Sequence, residues 1–188
     1  QRRAMILLKN TETKSGKQLP LKKGALKIFA GNMDPQLVGR YGTVVKTPAE
    51  ADIAILRLQT PWIPVNTKIP MALGFHHGDL DFKQKEKDSI LQIMRTVPTI
   101  VDIYLDRPAV IPEISAAAKG LLADFGASDA AVLDVIFGVA QPGGKLPFEL
   151  PSSMEAVRNQ KEDVPYDSKN PLYPFGFGLK YSDKSSPQ

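Results

Sequence analysis

Four short apolar runs of strand length mark the chain: residues 25–30 (ALKIFA), 51–58 (ADIAILRL), 99–105 (TIVDIYL) and 120–125 (GLLADF). Each ends near turn-forming residues, the first at Gly31-Asn32. Such runs predict strands covered on both faces, as in a parallel sheet. Between them the period changes to that of helices. Ile90, Leu91, Met94 and Val97 recur at helical spacing, which predicts a helix capped by Asp81, running to about Thr96 and stopped by Pro98. Pro112 suits the first turn of a second helix, closed by Gly120. Ser128 is a cap for a third, with Asp129 favoured by the dipole in its first turn and Val132, Leu133, Ile136 and Phe137 as its apolar face.

The stretch 138–151, GVAQPGGKLPFELP, is heavily punctuated. Gly138 ends the third helix where a positive φ costs least. Pro142 cannot continue a helix, and Gly143-Gly144 are expected to turn the chain. Leu146, Phe148 and Leu150 then alternate on one face, while Pro147 removes a ladder donor, so a late edge strand is expected. The alternation of strands and helices predicts an α/β fold: a three-layer sandwich with a mainly parallel sheet, helices on both faces and that late edge strand. Residues 1–181 are expected to form one domain, and the tail 182–188, SDKSSPQ, to be disordered.

Composition narrows the function classes. The chain has 188 residues, 43% of them hydrophobic, which suits one sizeable core. It has no cysteine, which excludes disulfides, thiolate catalysis and cysteine-based zinc sites. The net charge is +4, but the lysines are scattered, and Lys83, Lys85 and Lys87 are interleaved with Glu86 and Asp88. That is a solvated helix face and not a nucleic-acid stripe. No apolar run is long enough to span a membrane, and no signal segment opens the chain. A start at Gln1 suggests a processed product or a fragment. Location is therefore unassigned; a secreted or cell-envelope setting is compatible with the sequence.

Three stretches carry a resemblance. FGVAQPGGKLPFELP at 137–151 resembles the signature of the C-terminal domain of glycoside hydrolase family 3, which includes β-glucosidases, β-xylosidases and β-N-acetylglucosaminidases. PLYPFGFGLKY at 171–181 is similar to the segment that closes that domain, and RAMILLKN at 3–10, followed by Leu19-Pro20-Leu21, to its opening. The resemblance implies an α/β sandwich of about six strands following a TIM-like barrel, with the active site between the two. It implies that the barrel is this chain's partner and carries the catalytic nucleophile, an Asp in a Ser-Asp-Trp-like context. Neither Ser128-Asp129-Ala130 nor Ser182-Asp183-Lys184 matches it.

In some relatives the second domain supplies the acid/base Glu on the loop after the strand corresponding to ADIAILRL. Here that loop reads Gln59-Thr60-Pro61-Trp62-Ile63-Pro64, with Gln59 at the carboxylate position of plant-type members, and no Asp or Glu occurs between Ile53 and His77. An amide cannot deliver a proton as a carboxylic acid can. The next acids, Asp79 and Asp81, follow the only histidines, His76 and His77. Asp81 reads as a helix cap, which leaves Asp79 as the acid/base candidate. His76 and His77 are candidates for binding sugar hydroxyls or assisting proton transfer. Their adjacency suits a metal poorly, so no metal and no cofactor are expected. Trp62 is a candidate stacking platform for a sugar ring, or an aromatic buried at an interface.

Ligands of open parallel sheets sit beyond the carboxyl ends of the strands. That edge should gather Asn32, Asp34, Gln59, Trp62, Asp106, Arg107, Gly126 and Ser128. Asp106 and Arg107 read as a mutual ion pair, and Asp102, inside a covered strand, demands a nearby donor. The expected function is that of the sugar-facing second domain of a family 3 glycosidase, inactive without its barrel. Separated from the barrel, it would self-associate through the uncovered face. The alternative is a stand-alone carbohydrate-binding or interaction module of the same fold. A nucleotide-binding reading lacks both a G-x-G-x-x-G after the first strand and a P-loop.

Overall fold

The computed structural model describes residues 1–14, 16–65, 68 and 75–182. Its elements are β1 (Ile6–Asn10), β2 (Glu12–Thr13), β3 (Gly16–Lys17), β4 (Lys27–Gly31), α1 (Pro35–Val38), β5 (Thr43–Val45), β6 (Ile53–Gln59), β7 (Ile63–Pro64), β8 (His76–His77), α2 (Gln84–Thr96), β9 (Thr99–Tyr104), α3 (Pro112–Ala117), β10 (Gly120–Asp124), α4 (Asp129–Ile136) and α5 (Met154–Arg158). Six strands form the main sheet in the order β1-β10-β9-β6-β4-β5. All neighbours are parallel except β1, which pairs antiparallel with β10. The four apolar runs are the strands β4, β6, β9 and β10, and the architecture is the predicted α/β sandwich.

Side-chain alternation divides the sheet into two dry faces. Leu56, Leu58, Val101, Ile103, Leu121 and Ala123 pack with Ile90 of α2 and Ile114 of α3. Ile53, Ile55, Ile100 and Leu122 pack with Val38 of α1 and Val132, Leu133 and Ile136 of α4. Burial of each such side chain contributes about 1.5–3 kcal/mol. The third predicted helix has the expected cap, since Ser128 Oγ accepts the Ala131 N–H, and Gly138 closes it at φ 71°.

Three expectations fail. Asp81 does not cap α2. It bridges to Val110 instead, and Lys83 takes the cap position without a side-chain hydrogen bond. The loop thus spends Asp81 on joining the 79–82 segment to the chain beyond β9. Gly120 does not close α3, which ends at Ala117; it opens β10, packed so tightly under Leu19 and Ile100 that a side chain would collide.

The third failure concerns the sheet edge. Residues 145–150 form no strand of the main sheet, and the antiparallel edge is the early strand β1. Leu146 and Leu150 pair instead with the closing segment, where Leu146 N–H donates to Phe177 O and Leu150 N–H to Tyr173 O, both at 2.9 Å. The segment is extended, as its alternation requires, but Pro147 and Pro151 keep it from a continuous ladder. Gly144 serves close approach: its N–H donates to Met5 O at 2.9 Å, and a Cβ there would strike the Ala4 carbonyl.

Candidate functional site

The parallel strands β4, β6, β9 and β10 all end on one edge, and the loops that follow them build the candidate site. The chain leaving β6 turns at Thr60, whose hydroxyl donates to the carbonyls of Tyr104 and Arg107 at 3.0 and 3.1 Å. This buried anchor ties the loop after β6 to the loop after β9. Beyond it β7 pairs antiparallel with β8, placing Ile63 opposite His77 and Pro64 opposite His76. The loops 59–64 and 75–81 therefore share one end of the domain.

The hairpin presents an aromatic stack. The Trp62 and His76 rings lie 4.2 Å apart at 13°, with Trp62 38% exposed. His76 Nδ1 is hydrogen-bonded to an Asp106 carboxylate oxygen, and the Arg107 guanidinium donates to the Gly78 carbonyl. Asp106 and Arg107 thus each hold the hairpin, and the mutual ion pair expected between them is replaced by these two contacts. With Nδ1 occupied by a carboxylate, the imidazole presents Nε2 outward.

A cavity of about 600 Å³ opens beside this stack, lined by Asn32, Gln59, Trp62, Asp79, Asp81 and the start of α2. Gln59, Trp62 and Asp79 meet there. His76 does not line this cavity but stacks on Trp62, which does, and His77 is an exposed hairpin residue that does not line it. Asp79 is exposed and stands 3.7 Å from the Arg158 guanidinium. Among the described residues no group of three His, Asp or Glu side chains is placed to hold a metal ion.

The sequence reading missed the lysine-rich start of α2. Lys83, Gln84, Glu86 and Lys87 line the cavity, with Lys87 Nζ held 2.8 Å from Glu113 Oε1. The signal for a wall role was its position directly after the loop 75–81, not its composition. A second cavity, of about 410 Å³, lies on the other side of Gln59, lined by Asn32, Arg57, Gln59, Tyr104, Gly126 and Ala127. Asn32 adopts φ 58°, a left-handed turn that Asn tolerates, and its amide donates to the Arg57 carbonyl at 3.0 Å.

Beneath this second cavity Asp102 meets a cation rather than the hydrogen-bond donor expected for it. Arg57 Nε stands 3.3 Å from Asp102 Oδ2, while Nη2 reaches Asp124 at 3.3 Å and Nη1 reaches Asp129 at 2.6 Å. Asp102 is fully buried, and that burial drives its pKa well up, reinforced by the neighbouring Asp124 carboxylate and opposed by Arg57.

An open α/β sandwich with polar and aromatic side chains gathered at the carboxyl ends of its strands has the architecture of a ligand-facing domain. Residues 40–181 match the Glycosyl hydrolase family 3 C-terminal domain, and the chain belongs to that family. It is 46% identical over 186 residues to the Beta-glucosidase C of Emericella nidulans, covering 97% of this chain and 29% of that protein. It is 38% identical over 184 residues to the Periplasmic beta-glucosidase/beta-xylosidase of Dickeya chrysanthemi, covering 96% of this chain and 27% of that protein. The chain thus spans less than a third of the length of these relatives. In fold it is similar to the Beta-D-glucoside glucohydrolase from Trichoderma reesei, with a TM-score of 0.71 over 97% of this chain and 36% of that one at 16% identity.

Proposed function

We propose that this chain forms one wall of the sugar site in a β-glucosidase-like glycoside hydrolase, with the nucleophile contributed by sequence outside it. One observation supports this reading most. The cavity at the strand ends combines an exposed indole with three side-chain amides and three carboxyl groups, the side chains suited to one wall of a sugar site. A retaining glycosidase needs two carboxyl groups about 5 Å apart across one bond. Here Gln59 occupies the strand-end position and Asp79 stands out in solvent.

Within this reading Trp62 stacks on a sugar ring, Gln59 and Asn32 bind hydroxyls, and Asp79 is the acid/base candidate. His76, fixed by Asp106, buttresses Trp62, and His77 contacts substrate only if the missing wall approaches the hairpin. Ile63, Phe75 and Phe125 are 43%, 64% and 42% exposed around the same edge, a surface suited to cover by the rest of the enzyme. The chain alone is then expected to self-associate through that surface.

The test is a panel of aryl glycosides offered to the 188-residue chain alone and joined to the upstream segment of its parent gene. The chain alone should show no enzymatic turnover and the joined protein should show it. Robust turnover by the chain alone, surviving Asp79→Asn, would overturn the reading.

A further inference from the structure

The charged cluster inside the sheet is not used by the sugar-site reading. Arg57 and Asp102 are direct cross-strand partners, and Asp124 lies two residues beyond Leu122, which pairs with Asp102. All three therefore project from β6, β9 and β10 to one face, where α4 adds Asp129. The Asp102 and Asp124 side chains are 0% and 1% exposed. Asp102, Asp124 and Asp129 are the carboxyl groups that face Arg57 from these strands and this helix.

Donors are shared unequally among the three acids. Asp124 Oδ1 accepts the N–H groups of Gly126 and Ala127, each at 2.6 Å, and Oδ2 accepts from Arg57. Asp129 accepts from Arg57 at 2.6 Å and from the Asp34 N–H at 2.8 Å. Among the described residues none donates a hydrogen bond to either oxygen of Asp102, although both are sealed from solvent. Arg57 stands near it without donating to it. Were all three ionised, the single guanidinium would leave two negative charges uncompensated. A buried carboxyl in that position takes up a proton.

We propose that Asp102 is a neutral carboxylic acid at physiological pH, donating its proton to Asp124, and that this proton positions the edge of the second cavity. Asp124 is the fit acceptor, since two backbone N–H groups and Arg57 fix its carboxyl in place. The chain of consequence is short. Asp124 fixes the turn at Gly126 and Ala127, Arg57 grips the Ala127 carbonyl and Asp129, and Asn32 is bonded to the Arg57 carbonyl. Asn32, Gly126 and Ala127 are cavity wall. Loss of the proton puts a second uncompensated charge under that wall and loosens it. The inference does not depend on what the cavity binds.

The sign follows from linkage. A carboxyl that holds its proton more tightly folded than unfolded contributes stability that is fully present below the ordinary carboxyl range. That stability is lost as pH rises from there through the raised folded value.

The test is carboxyl carbon NMR on the 188-residue chain, with the Asp102 Cγ resonance assigned through bonds from its backbone. Asp102 should still show the neutral-acid shift at pH 7. In parallel, amide exchange of Gly126 and Ala127, corrected for intrinsic rates, should lose protection in the native chain as pH rises through the Asp102 titration seen by NMR. In Asp102→Asn, a neutral isostere that still donates to Asp124, protection should be independent of pH. An Asp102 carboxyl already ionised at pH 7, or an unchanged pH dependence in Asp102→Asn, would overturn the proposal. If Asp102→Asn does not fold, the native-chain titration decides alone.

Discussion

Two regions of the molecule repay comparison: the seam that closes the chain and the strand-end loops that carry the cavities. The seam is built from residues 3–10, 142–150 and 173–181. Gly144 bonds Met5, Leu179 bonds Leu7, and Leu146 exchanges backbone hydrogen bonds with Gly176 and Phe177. Met5, Ile6, Leu7, Leu8, Leu146, Leu150 and Tyr173 are buried there. All three stretches that carry the family resemblance meet in this seam. The cavity edge draws on different residues, which sit on loops and are largely exposed. The features that identify the fold therefore hold its two chain ends together, and the features suited to ligand contact lie elsewhere. Backbone-to-backbone packing tolerates few side chains, whereas an exposed loop tolerates many.

Four substitutions would break or sharpen that contrast. The largest effect is expected from Arg57→Ala, which leaves Asp102 and Asp124 buried beside one another without their cation. It should cost about 4 kcal/mol, read by denaturant unfolding, with the loss greater at pH 8 than at pH 5. Gly144→Ala comes next, at about 3 kcal/mol, because its Cβ must displace the Ala4 carbonyl and with it the start of β1. If Gly144→Ala spared stability and abolished the turnover proposed for the chain joined to its upstream segment, the seam would have a role at the site and the contrast would fail.

Trp62→Ala should do the reverse. On the proposed function we expect turnover by the chain joined to its upstream segment to fall at least about tenfold, or ~1.4 kcal/mol of lost stacking, with the melting temperature nearly unchanged. The smallest effect is expected at the periphery of α4. The Tyr41 hydroxyl donates to Asp134 at 2.7 Å, and that bond, with Arg2 beside it, holds the Asp134 carboxyl below its usual range. Its stabilising contribution is present above the ordinary carboxyl range and disappears as pH falls through the depressed value. Tyr41→Phe should therefore lower the melting temperature by a few degrees at pH 6 and by less near pH 3.

Much of the fold could be read from pattern alone, and particular residues show why the remainder could not. Asp102 stood out as a charge inside a covered strand and called for a donor, whereas Arg57 in the neighbouring run was not singled out. Only the register of β6 on β9 brought that cation beside it. Asp81 and Gly120 had the right chemistry for a cap and a stop, but each was taken by a tertiary contact, a bridge to Val110 and the packing of Leu19. Leu146, Phe148 and Leu150 alternate as a strand does, yet nothing local tells whether such a segment joins the main sheet or pairs with a distant closing stretch. Trp62 and Gln59 were placed at the cavity edge because both follow a parallel strand. The stacking of His76 on Trp62 and its tether to Asp106 come from segments 14 and 30 residues away from it, beyond any local signal.

The sequence by itself determined the strands β4, β6, β9 and β10, the cap and end of α4, the α/β class and the end of the sheet where polar loops collect. Those features depend on periodicity and on backbone preferences of Pro, Gly and Ser, which act within a few residues. Tertiary structure alone decided the early edge strand, the seam joining three distant stretches, and the gathering of three acids, two of them buried, around one arginine. Those depend on register between strands and on which atoms are cut off from water, and neither exists until the chain has closed.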